Sequence, residues 1–294
     1  MSPQYITTQL PSKYEAYVAT AYGIFRCTTG QDGVLQGCSD AAYPTESQNI
    51  FSMAVNQAGT IAYVTDYRPA SEGGTVNKCI INDNLTFATC SPAGNSFDEP
   101  ATITLNNAGT IAYIATSAEG VLMCQIESNG DFGYCDNAFL AGPAPQTAIG
   151  IAINAAGTRV YATDAINDTL WMCNIDGSGN FTNCNNITGS NNFYLLQGIA
   201  LNEAESMIYI TQVENPSIQA CPIQGNGSIG TCSSELDGLN NPIWVTVNKN
   251  GSMVYIANYL WGTVSSCPLN DGAFSTCSDN YVGGYSSTIA LVNR

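Results

Sequence analysis

A tyrosine set among small and β-branched residues recurs along the whole chain at an interval that hardly varies. The clearest copies read Gly59-Thr60-Ile61-Ala62-Tyr63-Val64-Thr65, Gly109-Thr110-Ile111-Ala112-Tyr113-Ile114-Ala115 and Gly157-Thr158-Arg159-Val160-Tyr161-Ala162-Thr163. Weaker copies carry Tyr209, Tyr255 and, near the start, Tyr17. Successive tyrosines are 46, 50, 48, 48 and 46 residues apart. A period of this length marks a repeat architecture, because one such unit cannot bury its apolar face alone. Six units across 294 residues leave no room for a second domain. The expected organisation is one domain over 1–294, with units at approximately 1–46, 47–96, 97–145, 146–193, 194–240 and 241–294.

The cysteines keep the same beat, as Cys27/Cys38, Cys79/Cys90, Cys124/Cys135, Cys173/Cys184, Cys221/Cys232 and Cys267/Cys277. Ten residues separate the partners in five pairs and nine in the last. Residues opposed across a hairpin have Cβ atoms about 4.5–5.5 Å apart, near the reach of a disulfide. Zinc ribbons instead use cysteines two to four residues apart, so the expected pairing is one disulfide within each unit. In the chain-entropy picture a bond closing so short a loop contributes about 2–3 kcal/mol. Twelve paired cysteines imply an oxidising, extracytoplasmic setting: secreted, periplasmic or cell-surface.

Each unit reads as four strands. The first is a short run ending in Asn, such as Ile103-Thr104-Leu105-Asn106. Asn then stands three residues ahead of Gly in Asn56/Gly59, Asn106/Gly109, Asn154/Gly157 and Asn248/Gly251, the chemistry of a type I turn. Glu205 occupies the glycine position in one unit. The tyrosine strand follows, apolar on both faces as in sheets covered on both sides. The third and fourth strands carry one cysteine each around Gly/Asn/Asp-rich hairpins. Four short strands repeated six times predict an all-β, six-bladed β-propeller with one disulfide per blade. The rival, a solenoid, calls for capping ends, and the terminal segments here look like blade pieces. The first unit lacks a good first strand, while Ser286–Asn293 looks like a spare one, so the C-terminal strand is expected to close the ring. Tyr5–Leu10 competes for that place.

The tyrosine strands, in forms such as Gly59-Thr60-Ile61-Ala62-Tyr63-Val64-Thr65-Asp66 and Met253-Val254-Tyr255-Ile256-Ala257-Asn258, resemble the YVTN-type propeller repeat. That superfamily includes lactonase-like propellers and archaeal and bacterial cell-surface proteins. The resemblance covers all six units but rests on one strand and its turn, so it implies a fold more than an activity. The chain departs from the usual pattern in its cysteine pair per blade and in having six units where lactonase-like members usually have seven blades.

Composition narrows the chemistry. There is no histidine, which removes Ser-His-Asp and Cys-His catalysis and His-ligated metals. No phosphate-binding Gly-rich loop or dinucleotide fingerprint is present. Charged residues are only 10% of the chain, against roughly 25% in ordinary soluble domains. With seven Lys and Arg and a net charge of −16, nucleic acid and anionic lipid are poor partners. No apolar run is long enough for a transmembrane helix. Met1-Ser2-Pro3-Gln4 opens no secretory signal pattern, so an exported protein would here be in its processed form. Six Asn-x-Ser/Thr sequons, at Asn84, Asn167, Asn180, Asn186, Asn226 and Asn250, permit glycosylation, though a chain this rich in Asn, Ser and Thr holds about that many by chance.

Propellers usually bind ligands where the second-to-third-strand loops and the blade-to-blade loops converge. The candidate residues there are Asp66, Arg68, Asp98, Glu99, Asp164, Asp168, Tyr194, Glu214 and Trp261. Such acids would suit Ca²⁺, or be solvated turn residues. Tyr22, Tyr43, Tyr67, Tyr194, Tyr259 and Trp261 also fall in loops, where aromatics beside amides would suit a glycan or peptide, or simply cover blade edges. The leading expectation is a secreted or cell-surface, non-enzymatic propeller that binds protein or glycan at its face or joins an extracellular assembly, self-association included. The alternatives are a Ca²⁺-dependent lactonase-like hydrolase with its site at the central channel, and a lectin-like module.

Overall fold

The computed structural model describes residues 14–44, 49–117, 119–140, 142–145, 147–237, 239–270 and 273–293. The first blade contains β1 (Tyr14–Thr20), β2 (Gly23–Thr29) and β3 (Leu35–Asp40). The second holds β4 (Ile50–Val55), β5 (Ile61–Asp66), β6 (Thr75–Ile81) and β7 (Phe87–Pro92). The third holds β8 (Pro100–Leu105), β9 (Ile111–Thr116), β10 (Gly120–Ile126) and β11 (Phe132–Asn137). Blade 4 follows with β12 (Ala148–Ile153), β13 (Arg159–Asp164), β14 (Thr169–Ile175) and β15 (Phe181–Asn186). Blade 5 has β16 (Leu196–Leu201), β17 (Met207–Gln212), β18 (Ser217–Pro222) and β19 (Ser233–Asp237). Blade 6 has β20 (Pro242–Val247), β21 (Met253–Asn258), β22 (Thr263–Asn270), the short β23 (Ala273–Phe274) and β24 (Ser278–Tyr281). The last strand, β25 (Ser286–Asn293), returns to pair antiparallel with β1, setting Tyr17 opposite Ala290. The chain is thus a six-bladed propeller of antiparallel blades. The inner strands β4, β8, β12, β16, β20 and β25 pack side by side in a complete circle. The competing segment, Tyr5–Leu10, lies outside the described residues.

The first turn of the repeat is built as its residue types require. Asn56 Oδ1 accepts the backbone N–H groups of Thr60 and Ile61 at 2.9 and 3.1 Å, and the same pair of bonds recurs at Asn106, Asn154, Asn202 and Asn248. Gly59, Gly109, Gly157 and Gly251 take φ of 66–69°, where a Cβ is strained.

All six expected disulfides form, Cys27–Cys38, Cys79–Cys90, Cys124–Cys135, Cys173–Cys184, Cys221–Cys232 and Cys267–Cys277, with Cα–Cα distances of 4.0–4.2 Å. The expectation of directly opposed partners needs correction in two of them, and that of a cysteine in the fourth strand in two more. Cys79 faces Cys90 and Cys124 faces Cys135 in the ladder. Cys38 and Cys184 instead sit at register shifts, where β3 and β15 each carry one extra residue opposite Cys27 and Cys173. The residues before them, Gly37 and Asn183, take φ of 59 and 51°, as a bulge allows. Cys232 and Cys277 do not lie in a fourth strand at all, since β19 and β24 begin one residue later, at Ser233 and Ser278. The Cys232 N–H is drawn off to Asn191 Oδ1 at 2.9 Å, away from β18. Cys277 lies in the break between β23 and β24, in the one pair with a separation of 10 rather than 11. The six bonds staple the outer half of a blade to itself. They do not join one blade to the next.

The blades are joined by the tyrosines. All six are fully buried, and each reaches from the second strand of its blade into the following blade. The hydroxyls of Tyr17, Tyr63, Tyr113 and Tyr255 donate to the hairpin carbonyls of Leu85, Gly130, Gly179 and Gly33 at 2.7–2.9 Å. Those four acceptor residues all have φ between 62 and 94°. Two residues on, Phe87, Phe132 and Phe181 stack on Tyr17, Tyr63 and Tyr113 with ring centroids 4.9–5.1 Å apart, and Phe274 meets Tyr209 edge-on at 5.7 Å. A hairpin residue of positive φ, glycine in three of the four, followed two residues later by a large apolar side chain is therefore the socket for the preceding blade's tyrosine.

Blade 5 fills the socket differently, and this explains the odd residue in the repeat. Glu205 holds φ of 50° in a glycine's position. Its carboxylate turns to blade 4, where Oε1 accepts the Tyr161 hydroxyl at 3.1 Å and Arg159 Nη1 at 3.2 Å, and Oε2 accepts Asn154 Nδ2 at 2.7 Å. Backbone strain of about 1–3 kcal/mol is offset by three polar contacts across the blade boundary.

The socket geometry predicts that Gly179→Ala destabilises the protein by about 2 kcal/mol or more in chemical denaturation. A Cβ there would sit 2.6 Å from Ile111 Cδ1 and 3.0 Å from the Tyr113 hydroxyl. Gly177→Ala in the same hairpin, where a Cβ meets nothing within 4 Å, is the control and should be close to neutral. Equal effects at the two positions would contradict the socket.

Candidate functional site

One mouth of the central channel is a cavity of about 390 Å³ whose walls come from blades 1, 2, 5 and 6. Three repeat positions build it. The first is the residue skipped by a register shift near the start of each inner strand: Phe51, Gln197, Ile243 and Ser287. A bulge leaves its extra residue out of the ladder and re-aims its side chain, and here all four line the cavity. The second is the residue after the tyrosine strand (Ala21, Tyr67, Val213, Tyr259), and the third stands just before an inner strand (Tyr285, Asn49, Leu195, Asn241). These two positions are pinned together, since the backbone N–H of each former residue donates to the carbonyl of its counterpart at 2.8–3.2 Å.

The lining is aromatic and amide-bearing, with no ionisable acid or base except tyrosine. Tyr259 stacks on Tyr285 with centroids 4.9 Å apart, and Phe51 leans on Tyr67 at 5.3 Å. The Tyr67 hydroxyl is within 2.9 Å of Ser117 Oγ and donates to Glu99 Oε2 at 3.2 Å, which ties the cavity wall to an acid of blade 3. Burial holds this hydroxyl's pKa above its ordinary value; the neighbouring Glu99 adds to the rise and the Ser117 bond opposes it. Tyr22, Leu260, Trp261 and Tyr285, between 42 and 75% exposed, extend the apolar surface outward on blades 1 and 6. The opposite mouth, about 610 Å³, is lined by inner-strand residues and by Gln57, Asn106, Asn107, Glu203 and Lys249 of the turns that follow them.

The candidate residues fall into four groups. Asp66 and Asp164, expected in loops, are the last residues of β5 and β13 and are buried. Asp66 holds Arg68 in a two-pronged ion pair at 2.9 and 2.5 Å, and Asp164 accepts the N–H groups of Ile166 and Asn167. Asp98 and Asp168 accept backbone N–H groups of Ala70 and Leu195. Tyr194, Glu214 and Trp261 are exposed, with Glu214 adjoining the cavity residue Val213. Glu99 alone of the nine bonds directly to a lining side chain. Among the loop aromatics, Tyr67 and Tyr259 line the cavity, whereas Tyr43 covers a blade edge, its ring against Phe87 and its hydroxyl accepting Asn77 Nδ2. Phe51, Gln197 and Tyr285 were not singled out from the sequence; the first two stand one residue inside an inner strand and Tyr285 just before one.

Among the described residues no three Asp, Glu or Cys side chains converge to hold a metal. The inner strands instead bring small residues to the channel, Ala54, Thr104, Ala152, Ala200, Thr246 and Ala290.

The architecture is shared widely. The propeller matches a chain in the crystal structure of a nidogen–laminin complex with a TM-score of 0.75 and 15% identity, covering 95% of this chain and 98% of that one. It matches the periplasmic gluconolactonase of Pseudomonas aeruginosa at a TM-score of 0.65 and 11% identity, covering 96 and 99% of the two chains. A gluconolactonase of Xanthomonas campestris gives 0.64 and 11%, covering 93 and 87%. At such identities the likeness is one of fold. No protein-family model matches the sequence, and no curated protein matches it. Six disulfides accord with an oxidising environment, and among the described residues no helix is long and apolar enough to cross a membrane.

The donor inventory predicts that millimolar Ca²⁺ leaves the thermal midpoint within about 1 °C of its value in Mg²⁺ at matched ionic strength, because only a specific site would separate the two ions. A rise of several degrees confined to Ca²⁺ and reversed by EDTA would reveal a site.

Proposed function

We propose that the protein is a non-enzymatic, extracytoplasmic binding module, or a subunit of an extracellular assembly, that engages its partner through the aromatic mouth of the channel. The observation that carries this reading is the construction of the mouth: two ring pairs, Tyr259–Tyr285 and Phe51–Tyr67, beside the amides of Asn49, Gln197 and Asn241. Flat apolar faces with a few oriented polar groups suit recognition. Tyrosine is favoured at binding hot spots because it offers large area at low cost in side-chain entropy. The nidogen–laminin likeness supports the reading, since this fold occurs there in a protein–protein complex. The likeness to gluconolactonases supports hydrolysis as the second reading.

The test measures binding to a panel of extracellular-matrix proteins and glycans, using wild type, Tyr259→Ala/Tyr285→Ala, and Gln57→Ala at the opposite mouth as control. Loss of the double tyrosine variant's binding by about tenfold or more, with Gln57→Ala unaffected, is expected. Binding sensitive only to Gln57, or gluconolactone hydrolysis well above the buffer rate, would contradict the proposal.

A further inference from the structure

We infer that the aromatic mouth receives a basic segment of a partner protein, with a Lys or Arg side chain entering the cavity. This rests on the reading of that mouth as the binding face and adds the chemistry of its occupant.

The argument is one of charge placement. The loops around this face carry Glu72, Asp98, Glu99, Glu119, Asp168 and Glu214, and among the described residues their one basic side chain is Arg68. That guanidinium is already held by Asp66. The other face differs. There Arg26 and Lys78 reach across to the next blade's hairpin, on Asn84 O and on Asp131, Arg159 pairs with Glu205, and Lys249 stands at the channel mouth. Of the described cations only Arg68 belongs to this face, and its pairing with Asp66 leaves the rim anionic. A rim of one sign around a low-dielectric pocket focuses the field and steers oppositely charged partners. Tyrosine and phenylalanine rings then accept the cation on their faces, for about 0.5–2 kcal/mol per contact depending on its exposure. Glu99, bonded to the Tyr67 hydroxyl of the cavity wall, links rim to pocket.

A second copy of this chain fits the face poorly, because two such rims would repel. A neutral glycan would use the rings but gain nothing from the rim. The basic segment uses both.

The experiment measures binding of a synthetic Lys/Gly-alternating peptide by calorimetry or surface capture, with a Glu/Gly peptide and a neutral oligosaccharide panel beside it. The Lys peptide should bind, weakening about tenfold or more as salt rises from about 0.1 M to about 1 M, where the screening length falls from about 10 Å to about 3 Å. Glu99→Gln/Glu214→Gln should reduce affinity and flatten the salt dependence, and Tyr259→Ala/Tyr285→Ala should abolish binding, each variant first being shown to keep the wild-type thermal midpoint. Lys-peptide binding that ignores the tyrosine variant would sink the mouth reading itself. Mouth-dependent binding of a neutral glycan, indifferent to salt and to the Glu variants, would overturn the basic-segment inference and leave the mouth reading standing. Equal binding of the Glu/Gly peptide, or none of the Lys peptide, would also overturn it.

Discussion

A propeller has to hold six separate sheets in a circle, and here the recurring tie across each boundary is a buried tyrosine packed into the next blade. The disulfides act within blades, and the ring is shut by only one strand, β25 against β1. At four boundaries the hydroxyl is given to a backbone carbonyl and at another to Glu205, and at four the ring packs on a phenylalanine. The hydroxyl bond contributes about 1 kcal/mol net and the ring pair about 0.5–1.5 kcal/mol beyond its buried area. Repeated around the circle, these modest contacts become a large fraction of a domain's usual stability. They also set the angle at which neighbouring inner strands meet, and so the shape of the channel mouth.

The division of labour has a functional consequence. Acids brace the turns at the aromatic mouth, Asp66, Asp164 and Asp168 through the chain that follows them and Glu99 through Tyr67. Arg26, Lys78 and Arg159 instead strap blade edges together at the opposite side. The bulge near the start of an inner strand then places one side chain at the mouth in each of blades 1, 2, 5 and 6. Phe51, Gln197, Ile243 and Ser287 occupy this position around the cavity, so it can vary without disturbing the ladder that holds it.

Much of this was legible in the sequence because it is periodic. Tyrosine and cysteine spacing revealed the blade count and the pairing, and Thr288-Ile289-Ala290-Leu291-Val292-Asn293 betrayed the closing strand by its likeness to a first strand. Spacing alone could not tell a laddered cysteine such as Cys90 from Cys38 and Cys184 beside a bulge, or from Cys232 and Cys277 ahead of their strands. A disulfide tolerates all three placements, since it needs only neighbouring Cβ atoms. The socket was legible too, as a hairpin glycine two residues before Leu35, Phe132 or Phe181, but its meaning depends on which blade sits next to it. Glu205 looked like a lapse in the repeat; only its contacts with Tyr161, Arg159 and Asn154 show it to be a clamp. The mouth was largely hidden, since Tyr67 and Tyr285 are far apart in the chain and meet through the closure of the ring. Asp66 and Asp164 drew notice as acids near loops, yet their burial makes them braces of the turns that follow.

The most direct test of the tyrosine ties is an alkaline titration that follows tyrosinate absorbance and backbone circular dichroism together. Burial pushes the hydroxyls of Tyr63, Tyr113 and Tyr161 up to about 12, with nearby acids adding to the rise, and raises that of Tyr255 further. An unfolded tyrosine ionises near pH 10. The stability contributed by these neutral hydroxyls is therefore fully present below about pH 10 and is lost as pH rises through about 12. The account predicts that Tyr63, Tyr113, Tyr161 and Tyr255 ionise only as the circular dichroism collapses. Ionisation of every tyrosine near pH 10 with the propeller still folded would contradict it.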